Sequence, residues 1–269
     1  MIAEPHLLAD FPDQPLVVCL GGAGGLWSEW LPIAHHLHQR AHVVSVQRTE
    51  GLTSLATAAN GVAQIIDRQP SDSAVLVAHS MGGFVAEALA RLRPELVSGL
   101  VLVDGSVATR PTTLSSITER AIPREFQRFN NTLQRLGARP IVGPLIRKMT
   151  EPRSASVDHD RRPATDRLAA AGATWDLLAS DLANYEPWQE QLLTLRKSHP
   201  LPQIAVTVIT ALPSHNWSRS WARQQDGVVR ALRREGTALR VRHVVLRGAP
   251  HQVQLTHPSE VADEISALL

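Results

Sequence analysis

The stretch V-L-V-A-H-S-M-G-G, residues 75–83, decides how this chain is read. Its apolar run, Val75 to Ala78, reads as a buried strand that leads straight into Ser80. Beyond the serine, Phe84, Val85, Ala88, Leu89 and Leu92 recur at helical spacing. A strand, a sharp turn and a helix, with a serine at the turn, describe a nucleophile elbow. Such a turn strains the serine backbone, so the residues two positions away on either side must be small. Ala78 and Gly82 meet that need. The strain lifts the hydroxyl above the sheet edge, and the helix start offers backbone N–H groups to a developing oxyanion. The other reading of Ser80 is a helix N-cap, a position serine favours.

Working outward, six apolar, largely β-branched runs read as strands: Pro15 to Leu20, His42 to Val46, Ala74 to Ala78, Gly99 to Val103, Ile204 to Thr210 and Val241 to Leu246. Most are continuous rather than alternating, the pattern of a parallel sheet covered on both faces. Helical segments separate them, at roughly 27–39, 54–69, 81–92, 219–235 and 260–269. Strands alternating with helices predict an α/β fold with a doubly wound, mostly parallel sheet, whose working residues gather at the carboxyl ends of the strands. Residues 107–200 break the alternation. They hold helical patterns near 117–136, 141–149, 164–182 and 188–197 and no strand. The expected organisation is therefore a core of residues 1–106 and 201–269 with a helical cap inserted at 107–200. The polar, proline-bracketed segment 151–163 reads as a mobile loop within the cap.

The chain has 269 residues, 43% of them apolar, and a formal net charge of +2, so it can build a real core and shows no charge excess to draw nucleic acid. A single cysteine, Cys19, forbids an internal disulfide and sits in an apolar run as inert core. The first residues carry no basic region followed by an apolar stretch, and no apolar run is long enough to span a membrane. A cytoplasmic location is expected.

A nucleophilic serine needs a base, and the base an orienting acid. His251 follows the last strand in a short loop; His257, directly before Pro258, is its local rival and fits a helix start better. After the strand at 204–210 comes A-L-P-S-H-N-W, which has no carboxylate, and Asp226 lies within the following helix. Asp104 ends the strand G-L-V-L-V and precedes Gly105, so it is the acid we expect; its alternative role is a side-chain cap on the turn. The glycine-rich turn C-L-G-G-A-G-G, residues 19–25, lets backbone N–H groups approach a substrate. It has neither the Gly-Lys-Ser/Thr ending of a phosphate loop nor a clean dinucleotide fingerprint.

Together these pieces resemble the α/β-hydrolase superfamily over nearly all the chain outside the cap. The family's H-G-x-G-G-like motif reads G-G-A-G-G here, residues 21–25, with Trp30 further on and Gly21 where histidine is usual. V-A-H-S-M-G-G-F-V-A and G-L-V-L-V-D-G-S look like a branch that places its acid after the sixth strand, which fits Asp104. G-A-P-H-Q-V-Q-L-T-H-P-S-E-V resembles the family's histidine loop. The resemblance implies that Ala23 and Met81 supply the oxyanion N–H groups. It also implies that the first two strands of the full family sheet are reduced or missing.

The expected activity is hydrolysis of a carboxylic ester or thioester through an acyl-enzyme on Ser80, with a small-molecule acyl substrate, no cofactor and no metal. The same fold hosts C–C hydrolases, lyases and acyltransferases, and a non-catalytic ligand-binding member is a further alternative. In the cap, Phe126, Phe129, Trp175, Tyr185 and Trp188 are candidates for an apolar pocket, Trp175 and Trp188 foremost. His35, His36 and His38 diverge on a helix and make no convergent metal set. Trp217 and Trp221, one helical turn apart, read as packing.

Overall fold

The computed structural model describes residues 5–49, 51–52, 54–106, 108, 116–150, 161–213, 218–235 and 240–269. Strands β1 (Pro5–Ala9), β2 (Leu16–Leu20), β3 (His42–Val46), β4 (Ala74–His79), β5 (Val97–Val103), β6 (Ala205–Leu212) and β7 (Arg240–Arg247) form one sheet. Their order is β1-β3-β2-β4-β5-β6-β7. β1 runs antiparallel to β3, and every other pairing is parallel. All six expected runs form strands. β1 is the addition: the amino-terminal edge of the sheet is not missing but reduced to one short strand.

The helices are α1 (Leu31–His36), after a 3-10 turn at Trp27–Trp30, then α2 (Leu55–Ile66), α3 (Gly82–Leu92), α4 (Ser116–Arg135), α5 (Arg139–Thr150), α6 (Arg161–Ala170), α7 (Gly172–Ser198), α8 (Ser218–Glu235), α9 (Val253–Thr256) and α10 (Pro258–Ser266). Local chemistry sets several boundaries. The Ser54 hydroxyl accepts the Thr57 N–H ahead of α2. Proline opens α10, where a missing N–H costs nothing.

The strand residues sort into two cores by their alternation. Leu16, Val18 and Leu20 face one layer, with α2, α3 and the apolar edge of α8. Val17, Cys19 and Val43 face the other, built from α1 and α10. This two-sided burial is why the central strands read as unbroken apolar runs. Cys19 is completely buried, and that burial pushes its thiol well above the usual range.

Between β5 and β6 the chain makes the helical insertion α4–α7. The expected helices at 164–182 and 188–197 are divided differently. α6 stops at Ala170, and α7 runs unbroken for 27 residues with Pro187 inside it. Proline removes one helical hydrogen bond; burial of Leu177, Ala179, Trp188 and Leu192 along α7 carries the helix past it. Of the loop expected at 151–163, residues 161–163 belong to α6 and the rest lies outside the described residues.

α7 is also tied to the core by charge. Glu87 on α3 receives Arg91 and, from α7, Arg196, whose Nη2 approaches to 2.6 Å. Burial alone would raise the Glu87 carboxyl, but the two guanidiniums override it and hold it at about 2. Arg91 reaches on to Glu235 of α8, so one buried cluster joins three helices. No helix among the described residues is long and apolar enough to cross a membrane.

Candidate active site

Parallel register brings the carboxyl ends of β4, β5 and β6 level, with His79 opposite Val103 and Val103 opposite Ile209. The first residues beyond β4 and β5 are Ser80 and Asp104. Both have left-handed backbones, φ 49° and 44°. That conformation is uncommon for side chains other than glycine and collects at functional turns. The two turns are bonded to each other: the Ser80 N–H donates to the Val103 carbonyl, and the Ser106 N–H donates to the Ser80 carbonyl at 2.9 Å.

The small-residue demand around Ser80 has a visible cause. A Cβ on Gly82 would stand 2.6 Å from the carbonyl oxygens of both Leu20 and Gly21. Real Cβ atoms do not tolerate that distance from backbone, so only glycine lets α3 start so close to the end of β2.

Asp104 is buried and its carboxylate takes three donors. Oδ1 accepts the Ala211 N–H at 2.9 Å and the Trp221 indole N–H at 2.7 Å. Oδ2 faces His251 Nδ1 at 2.5 Å. The carboxylate therefore fixes the tautomer of His251, with the proton on Nδ1 and Nε2 left as the free base. The His251 side chain is about half exposed (51%), whereas that of Asp104 is almost sealed (3%). His257, the rival, contacts the Thr256 hydroxyl instead. Asp226 pairs with His243 on β7 at 3.4 Å, away from this cluster. Residues 214–217, Trp217 among them, lie outside the described residues.

His79 connects the elbow to the histidine loop. Its Nε2–H donates to the His251 carbonyl at 3.0 Å, which leaves Nδ1 to accept from Gln254. The rings of His79 and His251 lie 4.6 Å apart. Burial, reinforced by the charge of His251 and then of Arg48, pushes the His79 imidazole from 6.5 down to about 3. His79 is thus a neutral strut, and it does not titrate near neutral pH.

The glycine-rich turn lies against the nucleophile: a Cβ on Gly22 would come within 3.0 Å of the Ser80 Cβ. Ala23 is half-buried in this turn, and Met81 is fully buried directly after Ser80. The two residues from which oxyanion N–H groups are expected therefore lie on separate segments, Met81 directly after Ser80 and Ala23 next to Gly22.

The two tryptophans expected in a pocket are packed. Trp175 stacks on Phe126 with ring centres 5.9 Å apart, and its indole N–H donates to the Ala169 carbonyl. Trp188 has no exposed surface at all and sits on the face of α7 that packs into the core. Neither offers an open ring face, so the pocket role read for them has no support in this geometry. Sequence reasoning missed His79, Trp221 and the Arg48–Asp181 pair. Trp221 was visible as an aromatic on a helix; its partner was not. Among the described residues no three histidine, cysteine or acidic side chains gather as a metal set.

Comparisons with known proteins bear on the family and the fold. A family model described as "Alpha/beta hydrolase family" matches residues 17–264. RutD of Serratia proteamaculans, provisionally named a carbamate hydrolase, is 33% identical over 105 residues, 36% of this chain and 39% of that one. The lipase LipV of Mycobacterium tuberculosis is 32% identical over 115 residues, 40% of this chain and 44% of its own. The matches thus span about two fifths of the length of these curated relatives. Among solved structures, a thermophilic esterase from Thermogutta terrifontis superposes with a TM-score of 0.65 at 18% identity, over 97% of this chain and 90% of that one. At that identity the likeness speaks for the fold. The family model covers nearly the whole sequence, and the chain belongs to the alpha/beta hydrolase family.

Proposed function

We propose that this family member is a serine hydrolase of carboxylic esters or thioesters, with Ser80 as nucleophile, His251 as base and Asp104 as orienting acid. The observation that carries the reading is the 2.5 Å contact between His251 Nδ1 and an Asp104 carboxylate already held by two other donors. An imidazole in that state presents Nε2 as a base and is stabilised when it becomes charged. Ser80, in its strained turn, attacks the acyl carbon as its proton passes to Nε2. The Ala23 and Met81 N–H groups receive the oxyanion. His251 returns the proton to the leaving alcohol or thiol, then draws one from the water that clears the acyl-enzyme. A cytoplasmic location remains part of the proposal.

The test is labelling with a fluorophosphonate, followed by peptide mapping, beside hydrolysis of p-nitrophenyl esters and acyl thioesters. A single adduct on Ser80, and loss of both labelling and turnover in Ser80→Ala, is the expected result. Ester hydrolysis retained by a folded Ser80→Ala preparation would refute the mechanism. Product analysis with added alcohols or amines separates hydrolysis from acyl transfer.

A further inference from the structure

Arg48 and Asp181 form a buried ion pair that touches neither Ser80 nor His251 by any hydrogen bond described, yet both partners close on the glycine-rich turn. Both side chains are about 4% exposed. Arg48 stands just beyond β3; Asp181 lies on α7 of the insertion. Arg48 Nη1 donates to the Gly21 carbonyl at 2.5 Å, and Nη2 donates to the Gly22 carbonyl, also at 2.5 Å, and to Asp181 Oδ2 at 2.8 Å. The same Oδ2 accepts the Gly24 N–H at 2.9 Å. Three consecutive peptide groups of the turn are thereby gripped from behind. Gln47 secures the next stretch, donating to the Gly25 carbonyl and accepting the Trp27 N–H.

The bonding has a specific consequence at Ala23. The carbonyl of Gly22 and the N–H of Ala23 belong to one planar peptide unit. A cationic donor on that carbonyl fixes the direction of the N–H and polarises it, since bonds in a chain strengthen one another. Burying two charges is costly, and replacing a buried pair by apolar groups is often neutral or stabilising. A pair sealed at this position is therefore poorly explained by stability. Preorganised donors, in contrast, are where catalytic rate is gained.

We infer that Arg48 and Asp181 are positioning residues for the oxyanion hole: Arg48 aims and polarises the Ala23 N–H, and Asp181, supplied by the inserted helix α7, holds Arg48 and the Gly24 N–H in place. The insertion then helps to complete the chemical site. Leu178, one turn of α7 before Asp181 and in contact with Gly24, makes the docking tight, and Ser28 to Thr165 adds a second tie from α6 at 2.9 Å. The inference rests on the serine hydrolase reading above.

The experiment compares Arg48→Lys and Asp181→Asn, both of which keep a polar group in place, with Gln191→Ala. Gln191 is on the same helix and bonds the Leu55 N–H, remote from the glycine turn. Three readouts are taken: kcat and KM on p-nitrophenyl esters, the rate of fluorophosphonate labelling, and affinity for an alkyl boronic acid, which forms a tetrahedral adduct on the serine. Arg48→Lys and Asp181→Asn are expected to lose about 10- to 100-fold in kcat, below the roughly hundred- to thousandfold loss of a whole oxyanion donor. KM should stay within about twofold, and labelling and boronate affinity should fall in step with kcat. Gln191→Ala should lower thermal stability and leave kcat intact. A purely structural pair would make all three variants alike, with stability lost and kcat retained in the folded fraction; that result, or a loss confined to KM, overturns the inference. If one variant fails to fold, the other carries the comparison. A wild-type protein that hydrolyses no ester and takes up no fluorophosphonate overturns the serine hydrolase reading itself, and this inference with it.

Discussion

Replacing His79 with glutamine should flatten the acid side of the stability profile. The folded protein keeps His79 neutral down to about pH 3, whereas in the unfolded chain it takes up a proton near 6.5. Between those values the unfolded state binds more protons, so stability falls as pH falls. The group's contribution is fully present above about 6.5 and drains away toward 3. Each unit of separation is worth about 1.4 kcal/mol. At about pH 4.5, two units below the unfolded value, wild type should therefore have lost about 3 kcal/mol through this one residue. Glutamine keeps an amide N–H for the His251 carbonyl but takes up no proton. Urea unfolding from about pH 8 to about pH 4.5 measures both proteins. His79→Gln is expected to be less stable at the high end, because packing changes, yet to lose about 3 kcal/mol less across the range. Glu87 and the histidines remote from His79 act on both proteins and cancel. Parallel profiles would mean that His79 titrates normally when folded, and the neutral strut would be refuted.

Asp104→Asn should cost two to four orders of magnitude in kcat with folding intact, as roughly ten-thousandfold is lost in the serine protease precedent; Asp226→Asn should be nearly silent, and steady-state kinetics of the two would expose a reversed assignment. Trp221→Phe keeps an aromatic ring but removes one donor to Asp104, so a loss of about tenfold in kcat with little change in KM is expected; an unchanged kcat would show that the Ala211 and His251 bonds suffice. Gly82→Ala drives a methyl into two backbone carbonyls and should leave little soluble, labelable protein; near-wild-type fluorophosphonate labelling would contradict the elbow geometry described here.

The sheet was legible because its central strands are buried on both faces, and continuous β-branched runs report that directly. β1 escaped notice for the opposite reason: Pro5–Ala9 is five residues long and mostly open to solvent, so it carries little apolar signal. Ser80, Asp104 and His251 could be named because each follows a recognisable strand. Their supporting partners could not. Arg48 and Asp181 are 133 positions apart, and Trp221 is 117 from Asp104. Periodicity fixes which face of a helix is buried but not which atom its side chain meets. The break expected before Trp188 failed for a related reason: tertiary burial along α7 outweighs the local preference of Pro187.

The lone thiol at the centre of the sheet gives the molecule a built-in reporter of its own opening. Cys19 lies on β2 between β3 and β4, fully enclosed and far from its reactive ionisation state. A thiol reagent can reach it only when those strands part. Its modification rate in native buffer therefore counts rare large-scale openings, with no second thiol in the chain to confuse the signal.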